Sequence, residues 1–320
     1  MLILGIDTSC DDTSVAVVQD TTTILANVIS SQGIHLDYGG VVPELASRAH
    51  LTLLLPAIES ALQTAGCRLP DLDAIAVTRG PGLVGSLLIG LSVAKSMAMG
   101  LQKPLVGVNH MEGHIFAGRL ADPDMVPPFM ALIVSGGHTQ LVHIQDWGVY
   151  EIIGKTRDDA AGEAFDKVAK MMDIGYPGGP AIDRAATTGD AGFVDFPRVY
   201  LDRDGSEFSF SGIKTAVRNY LKKRTPEENS RDASHIAASF QEAVVEVLVN
   251  KTVQASQRLG LDRILITGGV ACNSRLRTLM AETAGAHGMT VTYPSPVLCT
   301  DNGAMIASAG SFHFSQGHAS

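Results

Sequence analysis

One order of predicted elements occurs twice in the chain, and this repetition limits the fold more than any other feature. Apolar and polar residues alternate about a short polar turn near the N-terminus, which predicts a β-hairpin. In the first half, the two hairpin strands lie at residues 2–7 and 15–18. They are followed by a strand at 24–29, a helix at 43–64 and strands at 73–78 and 104–108. In the second half, strands fall at residues 129–134, 140–144 and 263–267. We therefore expect two α/β subdomains of similar build with a cleft between them.

Three of these strands lead directly into polar or glycine-rich turns, at residues 7–9, 135–137 and 267–269. Glycines at a strand end let backbone N–H groups approach an anion closely. Any one such turn is also typical of an ordinary hairpin. Three of them in a duplicated α/β frame favour a nucleotide site. The sequence contains neither a P-loop nor a well-placed G-x-G-x-x-G, which argues against a P-loop or a Rossmann type of nucleotide site.

Composition narrows the class of protein. With 320 residues and a net charge of −9, the chain is long enough for about two domains and does not resemble a typical nucleic-acid binder. Its four cysteines form no C-x-x-C pair, and no basic leader precedes the first strand. The most apolar stretch, residues 83–101, is interrupted by Lys95. We expect a cytoplasmic protein without a membrane span.

His110 and His114 are four residues apart, so on a helix they lie on one face and can bind one transition metal. The same spacing also fits two surface histidines or two buried histidines that bind no metal. A metalloprotease would carry glutamate next to the first histidine. Here Glu112 is two residues on, about 200° around the helix, so it points away from the metal. The spacing favours a metal and the order argues against a protease.

Two aspartates are candidates to complete the site. Asp301 is a suitable third ligand, because two histidines and one carboxylate suit Fe(II) or Zn(II). Thr300 or Asp301 could instead cap the helix predicted to begin near Gly303. Asp7 leaves the first strand, where it either holds a cation or water near phosphates or caps the turn.

Other charged segments are open to two interpretations. Residues 160–170 form a predicted helix, in which Glu163 and Lys167 are an i,i+4 pair typical of a solvated face. Lys214, Arg218 and Lys222 recur every four residues. Such a basic stripe usually serves solubility, but it is also the best local candidate for contact with a phosphate backbone.

Taken together, the motifs resemble the TsaD/Gcp family, the bacterial-type tRNA N6-adenosine threonylcarbamoyltransferases of the actin-like ATPase superfamily. The resemblance covers essentially the whole chain. Its motifs lie at residues 5–13, 43–50, 80–83, 110–114, 134–139, 162–167 and 268–273. Sugar kinases share the implied fold but lack the histidine pair, so the set is specific.

The resemblance implies an α/β actin-like ATPase fold of two RNase H-like subdomains with a nucleotide and metal cleft between them. The implied subdomains are residues 1–128 with 302–320, and residues 129–301. It also implies one metal per subunit, Fe²⁺ or alternatively Zn²⁺, held by His110, His114 and Asp301. The implied ligands of the threonylcarbamoyl-AMP nucleotide are Ile133, Val134, Ser135, Gly136, Gly137, Asp166, Gly179, Asp183 and Asn273.

The implied reaction moves the threonylcarbamoyl group from threonylcarbamoyl-AMP to N6 of adenosine 37 in tRNAs reading ANN codons (t6A formation). The exocyclic amine of adenine is a weak nucleophile, so the acceptor carbon must be strongly activated, as it is in an adenylate. A paralogous TsaB-type subunit and a TsaE-type ATPase are the implied partners. Two rival hypotheses are a metalloprotease and a non-catalytic nucleotide-binding scaffold, which would keep the glycine turns without the metal.

Overall fold

The computed structural model describes residues 1–201 and 205–319 as two compact units. Unit 1 comprises Met1–Met125 with Pro294–Ser320, and unit 2 comprises Val126–Tyr293. The sequence-based division puts residues 126–128 in the first subdomain and 294–301 in the second. In the structure, Asp301 belongs to unit 1, because its carboxylate contacts histidines of that unit.

Unit 1 is built on a five-stranded sheet in the order β3-β2-β1-β4-β5. Its strands are β1 (Leu2–Asp7), β2 (Asp12–Gln19), β3 (Thr23–Ser31), β4 (Ala74–Gly80) and β5 (Leu105–Asn109). The first three strands form an antiparallel meander, with Leu4 opposite Val17, and β4 and β5 add in parallel beside β1. The parallel strands β1, β4 and β5 therefore end at one edge of the sheet.

The helices of unit 1 are α1 (Pro43–Ala65), α2 (Val84–Leu101), α3 (His110–Ala121), α10 (Pro296–Cys299) and α11 (Gly303–Ser315), named in one series along the whole chain. Helix α1 begins with proline, whose missing N–H costs nothing at that position, and ends at Gly66 in the left-handed region, φ 67°. Its Leu54 and Ile58 pack into a core with Ile75 and Val77 of the sheet.

Unit 2 repeats the sheet of unit 1. Its strands are β6 (Phe129–Val134), β7 (Thr139–Asp146), β8 (Val149–Lys155), β9 (Arg263–Thr267) and β10 (Thr290–Thr292). Written from the other edge, their order β8-β7-β6-β9-β10 matches β3-β2-β1-β4-β5, with the same antiparallel and parallel pairings. The duplicated α/β plan predicted from the sequence is confirmed. Strand β8 was not predicted, because several of its residues are exposed and its apolar pattern is weak.

The helices of unit 2 are α4 (Ala161–Met172), α5 (Gly178–Ala186), α6 (Ser211–Lys222), α7 (Pro226–Arg231), α8 (Ala233–Arg258) and α9 (Ser274–Ala286). Helix α8 is apolar on most of its surface and supplies the centre of the core, where Phe240 packs against Phe165 of α4 with ring centroids 5.2 Å apart. Such aromatic pairs add modestly to the stabilisation from burial alone.

Helix α2 is, among the described residues, the one helix whose length and apolar composition would suffice to cross a membrane. The core helices of soluble proteins meet the same criterion, so this is weak evidence for a span. Leu87 and Ala94 of α2 are buried in the unit, whereas Val84 and Met99 are exposed.

Candidate metal and nucleotide sites

The histidine pair lies at the start of α3, directly after β5. Asn109 caps this helix by accepting hydrogen bonds from the N–H groups of Met111 (2.9 Å) and Glu112 (3.4 Å), so the helix begins at His110. The two imidazoles are 5% and 0% exposed, and their ring centroids are 4.9 Å apart. The predicted arrangement on one helix face is therefore present.

Asp301 lies opposite both histidines. Its Oδ1 is 3.3 Å from Nε2 of His110 and 3.3 Å from Nε2 of His114. Two ligand atoms about 2.1 Å from one metal at tetrahedral or octahedral angles lie about 3.0–3.4 Å apart. One ligand atom from each of the three residues falls within 4.8 Å of the others. The three side chains therefore have the spacing of a metal-ligand set.

Unpaired polar atoms support the same conclusion. Both ring nitrogens of His114 and Nδ1 of His110 are buried and make no hydrogen bond to any residue of the described chain. Buried polar atoms are rarely left without a partner in native proteins. A bound cation would satisfy the Nε2 atoms that face Asp301, so the donor set fits a transition metal that accepts nitrogen and oxygen ligands.

Asp7 holds His110 from the opposite side. Its Oδ1 accepts hydrogen bonds from the Thr78 hydroxyl (2.8 Å) and the Ser9 N–H (3.1 Å), while Oδ2 lies 3.4 Å from Nδ1 of His110. The bond from the Ser9 N–H fits the turn-cap interpretation of Asp7, and a cation or water held near phosphates stays a prediction. A carboxylate behind a ligating histidine fixes the ring orientation and raises its basicity.

The charges of this cluster raise the pKa of His110 and lower the pKa of Asp301. Burial lowers the pKa of His110, but the carboxylates of Asp301 and Asp7 outweigh burial and hold that pKa well above its ordinary value. Burial raises the pKa of Asp301, but His110 and His114 outweigh it and hold that pKa well below its ordinary value. A metal ion bound by His110 would take the place of the proton that the two carboxylates favour on this ring.

Asn302, rather than Thr300 or Asp301, caps helix α11. The side chain of Asn302 accepts a hydrogen bond from the Met305 N–H (2.9 Å) and donates to the carbonyl of Thr300 (2.8 Å). The prediction that Thr300 or Asp301 caps this helix was therefore wrong. The adjacent asparagine takes the capping role, and this leaves the Asp301 carboxylate available to the histidines.

Glu112 faces away from the ligand set, as its helical phase predicts. Its Oε2 lies 2.9 Å from Nε2 of His313 on α11, and both side chains are largely buried. Glu112 thus joins α3 to α11 and is not placed to activate a metal-bound water, which removes the structural basis for a metalloprotease. His313 was not predicted as its partner, because the two residues are distant in the chain.

In unit 2, the turn between β6 and β7 lies against the N-terminus of α4. Ser135 closes the turn by donating its N–H to the carbonyl of His138 (2.8 Å), and the carbonyl of Ser135 accepts the N–H of Gly162 (3.2 Å). A Cβ on Gly162 would lie 2.6 Å from that carbonyl oxygen, so only glycine allows this approach. A Cβ on Gly136 or Gly137 would meet nothing within 4 Å, so this turn has open space beside it.

The other predicted nucleotide residues of unit 2 are fixed by local hydrogen bonds. Asp166 accepts the Gly178 N–H at the start of α5 (2.7 Å), which sets the turn before Gly179. Asp183 accepts the hydroxyl (2.7 Å) and the N–H (3.2 Å) of Ser274. Ile133 and Val134 are fully buried in β6, where both pair with β7 and Ile133 also pairs with β9. Gln241 and Arg275, which line a cavity together with Asp183, were not predicted from the sequence, because no local pattern marks them.

Glu163 and Lys167 form the predicted pair, with an N–O distance of 2.7 Å. Lys167 also contacts Asp159 (3.0 Å), which is bound by Lys214 of α6 as well (2.5 Å). These pairs organise the loop before α4. Lys214 is thereby removed from the basic stripe, of which Arg218 and Lys222 remain exposed.

Solved structures share this fold. Component A of (R)-2-hydroxyglutaryl-CoA dehydratase from Acidaminococcus fermentans matches with a TM-score of 0.59 and 16% identity, covering 99% of this chain and 98% of that chain. HypF from T. kodakarensis matches with a TM-score of 0.64 and 14% identity, covering 98% of this chain and 48% of that one. At these identities the likeness shows the fold alone. Fold and site together define an actin-like ATPase fold that carries a histidine–carboxylate cluster suited to a metal.

Sequence comparison then identifies the family. The model described as TsaD, tRNA N6-adenosine threonylcarbamoyltransferase, matches residues 23–308. A protein of that name from Clostridium perfringens is 51% identical over 320 residues, covering 100% of this chain and 94% of the relative. One from Syntrophotalea carbinolica is 52% identical over 318 residues, covering 99% and 93%. The chain belongs to the TsaD family and is a transferase that forms t6A in tRNA.

Proposed function

We propose that this transferase uses Fe²⁺, or alternatively Zn²⁺, held by His110, His114 and Asp301, in moving the threonylcarbamoyl group from threonylcarbamoyl-AMP to N6 of adenosine 37. The observation that carries the proposal is the set of three ligand atoms within 4.8 Å, with buried imidazole nitrogens that lack any other partner among the described residues. Two histidines and one carboxylate are typical of such metals.

When bound, the metal supplies Lewis-acid stabilisation of charge that develops on the acyl group. The residues of the chain prepare this site. Asp7 fixes the ring of His110, with Oδ2 3.4 Å from Nδ1, so that Nε2 faces Asp301. The Asn302 cap holds the backbone beside Asp301. These contacts would hold the three ligands in place before a metal and the donor bind.

The nucleotide part of the donor is assigned to unit 2. We infer that it lies along residues 133–137, with Asp166, Gly179, Asp183 and Asn273 around its sugar and base. The turn at Gly136 and Gly137 has open space beside it and adjoins the N-terminus of α4, which favours an anionic phosphate. The Asp183 carboxylate keeps acceptor capacity for a sugar hydroxyl beyond its two bonds to Ser274.

Partners and location complete the proposal. We infer that the chain works in the cytoplasm with a TsaB-type subunit and a TsaE-type ATPase. Its net charge of −9 is unfavourable for binding tRNA unaided, which supports help from partner proteins.

Reconstitution tests the metal-centred transfer. Purified protein, the two partner proteins, threonylcarbamoyl-AMP and unmodified tRNA are combined, and t6A is measured by mass spectrometry of the digested tRNA. The variant His110→Ala loses a ligand, so we expect t6A formation to fall at least 100-fold. His287→Ala, which changes an exposed histidine of unit 2, is the matched control and should retain full activity.

Undiminished t6A from His110→Ala would overturn the proposed role of the metal. Metal identity is tested separately on anaerobically purified protein by elemental analysis. About one equivalent of iron is expected in the wild type and much less in His110→Ala. One equivalent of zinc would support the alternative, whereas no metal in either protein would contradict both.

A further inference from the structure

A cavity of about 260 Å³ lies within unit 2 between α5, α8 and α9. Its lining includes Asp183, Gln241, Ser274, Arg275 and Thr278. Drug-sized ligands occupy sites of roughly 300–1,000 Å³, so this smaller cavity suits a single flat ring system such as a nucleobase. Because Asp183 lines it, the cavity lies beside the proposed nucleotide site. The other lining residues have so far been given no role in binding.

Two side-chain amides beside this cavity orient each other. Asn273 caps α9, and its Oδ1 accepts the N–H of Leu276 (2.9 Å). A backbone N–H can only donate, so this bond fixes which end of the Asn273 amide is oxygen. Its Nδ2 then donates to Oε1 of Gln241 (2.7 Å). The cap of α9 therefore also determines which way the Gln241 amide points.

Gln241 is left with an unused donor group. Gln241 is 6% exposed, and within residues 1–201 and 205–319 its one side-chain hydrogen bond is the one that Oε1 accepts from Asn273, so Nε2 keeps access to the open side. The small surface that Gln241 keeps open lines the cavity. An acceptor atom on a ligand in the cavity would therefore give this donor a partner in place of solvent.

The other walls fit a nucleoside. Two hydrogen bonds to Glu242, from Nε (2.6 Å) and from Nη2 (2.7 Å), fix the orientation of the Arg275 guanidinium. A base can stack on the face of this planar group. The Asp183 carboxylate, which Ser274 holds, can accept hydrogen bonds from sugar hydroxyls. A donor, a flat cationic face and a carboxylate thus surround one small cavity.

We propose that Gln241 binds the base of the adenylate by donating from Nε2 to a ring nitrogen, and that Asn273 positions Gln241 for this contact. The inference rests on the proposed function, because it takes the adenylate as the ligand of unit 2. Asn273 keeps its second amide N–H and one lone pair of its oxygen, since the other N–H and lone pair are already used.

The first test measures AMP binding by calorimetry. Gln241→Glu has the same shape and keeps an acceptor for Asn273, but it replaces the Nε2 donor with oxygen. We expect its affinity for AMP to fall at least tenfold at a temperature well below its thermal transition. Gln254→Glu adds the same charge at an exposed position of α8 and should bind AMP as the wild type does. Equal affinity of Gln241→Glu and wild type would overturn the inference.

The second test needs no folded variant. AMP analogues in which N1, N3 or N7 is replaced by C–H are titrated into the wild type, and we expect one of them to bind at least fivefold more weakly than AMP. Gln241→Glu should show no further loss with that analogue. Equal binding of all three analogues and AMP to the wild type would overturn the inference. If t6A formation persists in that case, the proposed function stands and only the role of Gln241 fails.

Discussion

At the scale of single residues, the site depends on side chains that have two partners at once. Asp7 contacts the Thr78 hydroxyl and the Ser9 N–H with one oxygen and faces His110 with the other. The turn cap was one of the two interpretations that the sequence allowed, and the other, a cation or water held near phosphates, stays a prediction. The contact with His110 was not predicted, because it depends on where β5 ends relative to β1.

Asp12 gives a prediction at this scale. Burial raises the pKa of Asp12 to about 6 from 3.8, and the charges of Asp301 and Asp11 add to the rise. Because the folded state disfavours the charged form, the unfavourable contribution of Asp12 to stability is small below pH 3.8 and grows until about pH 6. Asp12→Asn removes this charge.

We expect Asp12→Asn to stabilise the metal-free protein by about 1–3 kcal/mol at pH 7.5 and by less at pH 4.5. Thermal denaturation of both proteins in the presence of a chelator measures this difference. Equal stabilisation at the two pH values would show that the titration of Asp12 is not its cause.

At the scale of elements, the ends of parallel strands gather the site. Strands β1, β4 and β5 run parallel, so Asp7, Thr78 and His110 reach the same edge of the sheet. The apolar patterns predicted these strands well, because most side chains of β1 and β4 are buried and β5 alternates buried and exposed residues. Helix α6 shows where pattern alone was insufficient. Its basic stripe included Lys214, but the structure pairs that residue with Asp159 and leaves Arg218 and Lys222 exposed.

A prediction follows for α6. If its exposed face contacts tRNA phosphates, Arg218→Glu with Lys222→Glu should weaken tRNA binding at least tenfold and reduce the slope of log affinity against log salt by about 2. Filter binding of the complete partner complex across a salt series measures both quantities. Arg68→Glu with Lys103→Glu changes the net charge equally on unit 1 and is the control. Equal effects of the two double variants would assign the change to net charge alone.

At the scale of the whole molecule, unit 1 is closed by the C-terminal segment of the chain. Helix α11 packs so tightly on β1 that a Cβ on Gly5 would lie 2.3 Å from the Gly303 carbonyl oxygen. A Cβ on Gly303 would lie 2.6 Å from the backbone nitrogen of Ala16 on β2. This close approach brings Asp301, just before the helix, to the histidines of α3.

Gly303→Ala tests this dependence. The added methyl must displace α11, so we expect a loss of about 1–3 kcal/mol in stability and a lower metal content, because Asp301 moves with the helix. Thermal denaturation and elemental analysis measure the two effects. Gly100→Ala is the matched control, since its Cβ meets nothing within 4 Å and alanine favours the helix. If Gly303→Ala is destabilised but its metal content is unchanged, metal binding does not depend on the position of α11.

The sequence by itself determined the duplicated α/β plan, most strands and the helical spacing of His110 and His114. It also determined that Glu112 faces away from the histidine pair. These features depend on residues close together in the chain, whose periodicity is readable without a fold. Only the tertiary structure decided that Asn302 caps α11, that Glu112 meets His313 and that Asn273 orients Gln241. Such contacts form only when segments distant in the chain pack together. Several side chains could then bond to the same group, and the local sequence pattern does not indicate which of them will.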